Sequence, residues 1–94
     1  MKDIFDMDDI VKLVETQEPT RIDLIIALRN CKGGHWTSEA YYQFVDSHNA
    51  NQPNSDWQHD QCIVLEQKDK GDIVIDLLKE GRIGGIEFID LLNL

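Results

Sequence analysis

Cys62-Ile63-Val64-Leu65-Glu66, Asp72-Ile73-Val74-Ile75-Asp76-Leu77 and Gly85-Ile86-Glu87-Phe88-Ile89 decide how this chain folds. Each is a short apolar run rich in β-branched residues, with the partial alternation of a half-buried strand. Lys68-Asp69-Lys70-Gly71 and Lys79-Glu80-Gly81-Arg82 separate them and have the composition of turns. Three short strands at hairpin spacing predict an antiparallel β-meander. Gly81, Gly84 and Gly85 are read as turn positions that need positive φ. They do not form a phosphate-binding loop, because no helix follows whose N-terminus would hold an anion.

Upstream of the meander the period changes. Met7, Ile10, Val11 and Val14 recur on one helical face, and Asp6, Asp8 and Asp9 suit the positive end of that helix. Pro19 ends it. A second helix is expected from Thr20, placed to cap the Asp23 amide, to Gly33 and Gly34. Ile22, Ile25 and Ile26 fall on one side with Arg29, and Leu24 and Leu28 on another, which predicts a well-buried helix.

Between His35 and Val45 two readings stay open. Ala40, Tyr41, Phe44 and Val45 fit a helical face, while Tyr41-Tyr42-Gln43-Phe44-Val45 is rich in strand-favouring aromatics, and the strand is preferred. Ser47 to Asp56 has the Asn, Ser and Pro content of a loop, the place where function tends to sit. The expected fold is α+β: one domain over residues 1–94, two N-terminal helices packed on an antiparallel β-meander of three to four strands.

Composition narrows the function. Eighteen Asp and Glu against nine Lys and Arg give a formal charge of −9 on 94 residues. That field repels nucleic acid and anionic lipid and attracts basic protein surfaces. The apolar fraction of 41% and charged fraction of 29% are ordinary for a folded domain, so acidity does not imply disorder. Asp3, Asp6, Asp8 and Asp9 interrupt the start of the chain, so no secretory apolar region is read there. A cytoplasmic location, with Cys31 and Cys62 reduced and buried, is the expectation.

No motif for chemistry emerges. Cys31, His35, His59 and Cys62, a Cys-x3-His and a His-x2-Cys pair, offer four ligands for a zinc site, but residues three apart on a regular strand point to opposite faces. No glycine-framed nucleophile is present, and neither cysteine sits at an evident helix N-terminus. Asp46, Asp56, Asp60 and Asp72 would suit a hydrolytic cleft, but in so acidic a chain they read as a solvated face. No catalytic residue, metal or cofactor is assigned.

The aromatic residues point to an interface. Trp36 and Trp57 each lie in polar company, and of the adjacent Tyr41 and Tyr42 one is expected to face solvent. Trp57, Asp56, Asp60, Tyr42, Asp46 and Glu66 are the candidate contact residues for a basic partner.

Asn54-Ser55-Asp56-Trp57-Gln58-His59-Asp60, leading into Ile63-Val64-Leu65-Glu66 and Gly71-Asp72-Ile73-Val74-Ile75-Asp76-Leu77, resembles the small bacterial immunity proteins that accompany polymorphic and contact-dependent growth inhibition toxins. Gly81-Arg82-Ile83-Gly84-Gly85-Ile86-Glu87 is also similar to a small β-meander family with a Gly-Arg-x-x-Gly-Ile-Glu motif. The likeness covers the chain from Asn54 onward and not its first half. It implies a cytoplasmic inhibitor that binds one cognate toxin, often a nuclease, with no reaction of its own. Two other readings stand beside it: a phage-type acidic nucleic-acid mimic that blocks a defence nuclease, and a small metal-dependent hydrolase built on His48, His59 and Asp60. The oligomeric state is not read from the sequence.

Overall fold

The computed structural model describes residues 5–93, with side chains through Leu91. Helix α1 spans Met7–Gln17 and α2 spans Ile22–Arg29. Five strands follow: β1 His35–Trp36, β2 Tyr41–Gln43, β3 His59–Leu65, β4 Ile73–Leu78 and β5 Arg82–Phe88. Short 3-10 helices cover Lys79–Gly81 and Ile89–Asn93. All strands pair antiparallel in one sheet of order β1-β2-β5-β4-β3. The α+β class is as the sequence implies, with the meander formed by β3, β4 and β5. The segment from His35 to Val45 supplies a further hairpin, β1–β2, in place of one strand, and β2 returns to pair with β5.

The first helix forms for the reasons its sequence gives. Asp6 is the N-cap, its Oδ1 accepting from the Asp8 amide at 2.9 Å, and Asp8 and Asp9 occupy the positive first turn. Ile10, Val11 and Val14 are buried. The second helix differs from expectation at its start and on one face. Its N-cap is Arg21 without a side-chain cap, so Thr20 does not hold the Asp23 amide. Instead the Arg21 guanidinium pairs with the Asp23 carboxylate at 3.0 Å and holds it below its ordinary pKa. Leu24, Ala27 and Leu28 turn inward at i, i+3 and i+4, which leaves Ile22 63% and Ile26 56% exposed. The helix is one-sided and not buried all round.

The core lies between the helices and one sheet face. Ile63, Leu65, Ile73, Ile75, Leu77, Ile83 and Ile86 from the sheet meet the inward residues of both helices. Phe5, Trp36, Tyr42, Phe44 and Phe88 extend it at the β2 side through ring contacts, with centroids 5.1–6.5 Å apart. At the β3 edge, Gln17 completes the ladder: its Nε2 donates to the Glu66 carbonyl and its Oε1 accepts from the Glu66 amide, both at 2.8 Å.

Two β-bulges face each other across β4. Asp60 has no partner between the pairs His59↔Leu78 and Gln61↔Leu77, and Gly84 has none between Leu77↔Ile83 and Asp76↔Gly85. Of the three glycines read as turns, only Gly81 has a positive φ, +75°. Gly84 and Gly85 lie inside β5, each beneath an aromatic ring that a Cβ would strike: Trp57 for Gly84 and Tyr41 for Gly85.

Candidate functional site

Two features of the surface are candidates for function, and they adjoin at the bulged end of the sheet. The first is the connection from β2 to β3. It is irregular, as its composition implies, yet it is held by a dense set of hydrogen bonds. The Asp46 carboxylate accepts from the His48 amide at 2.9 Å, Ser55 Oγ donates to the His48 carbonyl at 2.8 Å, and Asn51 N donates to the Trp57 carbonyl at 2.7 Å. Asn49, Asn51 and Asn54 all adopt positive φ, which asparagine tolerates better than most residues. Trp57 is half-buried, its ring carbons 2.7 Å from where a Gly84 Cβ would stand, and pins the loop to β5. Arg82 Nη2 donates to the Asp56 carbonyl at 2.8 Å.

Asp46 and Asp56 therefore share one groove of about 260 Å³, together with His48, Pro53 and Asn54. Asp60, the bulge residue of β3, is exposed at the strand that leaves this loop. Among the described residues, none of these three carboxylates forms an ion pair with Lys or Arg. The other two expected contact residues lie elsewhere. Glu66 is exposed but follows the far end of β3, beside Gln17. Tyr42 is 7% exposed and belongs to the aromatic core, its hydroxyl donating to the Gly34 carbonyl at 3.0 Å. It offers no contact surface. Tyr41 is half-buried, so neither tyrosine is freely exposed.

The second feature was not read from the sequence. Tyr41, Asp76, Cys62 and His59 meet on the sheet face opposite the helices. Cys62 and Asp76 are direct cross-strand partners. The Cys62 thiol donates to Asp76 Oδ1 at 3.2 Å and lies 3.4 Å from His59 Nε2, which is 3.6 Å from the same carboxylate oxygen. Tyr41 donates to Asp76 Oδ2 at 2.7 Å. His59 reaches this face because the extra residue Asp60 breaks the two-residue alternation between it and Cys62. The only sequence-level signal was the His-x2-Cys pair, which a regular strand would have split.

The Asp76 hydrogen bond and partial burial push the Cys62 thiol above its ordinary pKa, against the direction an activated nucleophile needs. Burial, with the same carboxylate, raises the Tyr41 phenol. The other constellations do not assemble. Cys31 is half-buried behind α2 with its thiol on the Ala27 carbonyl at 3.5 Å, and His35 is on β1, at the sheet edge opposite β3. Asp72 lies just before β4, at the other end from Asp46 and Asp56, and accepts from the Gln67 amide. His48 stays in the loop groove, apart from the atoms that converge at His59. Both cysteines are free thiols, but Cys62 is exposed and not buried.

Among the described residues no helix is long and apolar enough to cross a membrane. No family model, no curated protein and no solved structure matches this chain.

Proposed function

We propose that this chain is a binding protein of the toxin-immunity kind, which neutralises a partner by covering a basic surface and performs no reaction itself. The observation that carries this reading is the group Asp46, Asp56 and Asp60: exposed carboxylates that, among the described residues, form no ion pair with Lys or Arg, the first two on the hydrogen-bonded loop that Trp57 pins and the third on the strand that leaves it. A loop already held in shape loses little conformational freedom on docking, so less of the contact energy is spent on ordering it. These carboxylates would take the place of phosphates in a cationic groove, and they speed encounter with it. A standard interface takes roughly 800 Å² from each partner, a modest share of the 6237 Å² this chain presents. A nuclease toxin has the required basic groove, and its inhibitor acts in the cytoplasm of the protected bacterial cell.

The test uses the full chain as bait in its native host, followed by identification of the captured protein and binding measurements with the purified pair. The expected partner has a Lys- and Arg-rich contact face, and Asp46→Lys with Asp56→Lys weakens binding at low salt by at least about tenfold. A neutral or acidic contact face, or an affinity that ignores the charge reversal at low salt, overturns the reading.

A further inference from the structure

We propose that His59 Nε2, Cys62 Sγ and Asp76 Oδ1 form a three-ligand site for a zinc-class divalent cation on the open face of the sheet. The argument is geometric. With bonds of about 2.3 Å to sulfur and about 2.0–2.1 Å to nitrogen or oxygen, a tetrahedral zinc ion holds its ligand atoms roughly 3.3–3.6 Å apart. The separations here are 3.2 Å from Sγ to Oδ1, 3.4 Å from Sγ to Nε2 and 3.6 Å from Nε2 to Oδ1, each within about 0.4 Å of the matching edge of one face of that tetrahedron.

The frame around them is built to keep that spacing. Cys62 and Asp76 are fixed by strand register, and the Asp60 bulge turns His59 onto their face. The His59 amide is tied to Asn51 Oδ1 at 2.9 Å. Tyr41 holds Asp76 Oδ2, which leaves Oδ1 directed at the other two ligands, the arrangement by which outer hydrogen bonds orient a ligating carboxylate. A thiolate, a carboxylate and a neutral imidazole balance a divalent charge. The sulfur and nitrogen favour zinc-like ions over calcium or magnesium. Binding releases the Cys62 proton to solvent, and the exposure of Cys62 leaves a fourth position for water.

Cobalt(II) and zinc(II) titration of the reduced full chain tests this without any partner protein, so its outcome is separate from that of the inhibitor reading. The expected result is one cobalt ion per chain with a thiolate-to-metal charge-transfer band that zinc abolishes by displacement. Cys62→Ser removes the band, Cys31→Ser retains it, and Tyr41→Phe weakens affinity by roughly tenfold. No such band at saturating cobalt, or a band that survives Cys62→Ser, overturns the site and leaves the cluster a hydrogen-bonded network only.

Discussion

The Tyr41 hydroxyl on β2 donates a 2.7 Å hydrogen bond to Asp76 on β4, across the intervening strand β5. Its ring crosses at Gly85, the rung partner of Asp76. A glycine in mid-strand ordinarily weakens a sheet, and here it gives the ring its path. The contact spans three strands and fixes the carboxylate around which Cys62 and His59 gather.

Gly85→Ala places a methyl group against the Tyr41 ring. It is expected to cost about 1–3 kcal/mol by overpacking. Tyr41→Phe is expected to cost a similar about 1.5–3 kcal/mol, through the lost bond to a carboxylate. Because both act on one contact, the double variant should fall short of the sum by at least about 0.5 kcal/mol in urea denaturation. Full additivity would show that the two positions are independent.

Gly84→Ala meets Trp57 ring carbons at 2.7 Å. Trp57 and the loop it pins should lift away from β5, with a red-shifted fluorescence that is absent when the same change is made in a Trp57→Phe background. The expected destabilisation is about 1–3 kcal/mol. An unshifted emission would mean that the indole does not rest on this glycine.

Asp76→Asn removes the main group that raises the Cys62 pKa. The thiolate fraction of Cys62 near pH 8 should rise, and iodoacetamide should label it faster than in the native chain. Cys31, whose thiol is pushed up to about 11 by burial, should stay slow in both proteins. Peptide mapping of the labelled chain distinguishes the two sites.

The same burial predicts alkaline destabilisation. A Cys31 thiol that titrates at about 11 in the fold and near its ordinary 9.0 when unfolded keeps its proton longer in the native state. Between those values the unfolded chain binds fewer protons, so stability falls as pH rises. Cys31→Ala should flatten the decline in melting temperature between about pH 9 and 11. An unchanged slope would assign the effect to Cys62 and Tyr41, whose pKa values are also raised.

The two stripes of α2 should respond unequally. Leu24→Ala empties a fully buried position and is expected to cost about 2–5 kcal/mol. Ile26→Ser, on the exposed stripe, should stay within about 0.5 kcal/mol of the native chain. A large loss at Ile26 would mean that this face is covered in solution.

Much of the architecture was legible residue by residue. The α+β class, the acidic start of α1, its inward face and the three strands of the meander all follow from local period and turn chemistry, which act over a few neighbouring residues. The loop after β2 was legible too, because its asparagines tolerate the backbone it adopts. Tyr41 and Tyr42 mark where local reading stops. Both suit a strand, but which one enters the core depends on the register against Ile86 and Glu87.

The bulges were decided at that same level. An extra residue at Asp60 or Gly84 exists only relative to the neighbouring strand, so no pattern along β3 or β5 alone announces it. Those offsets bring His59 beside Cys62 and seat Trp57 on glycine. The sequence by itself determined the two helices and the three strands of the meander, and how acidic the chain is. Tertiary pairing decided which side chains meet, because strand register is set by partners distant in the chain.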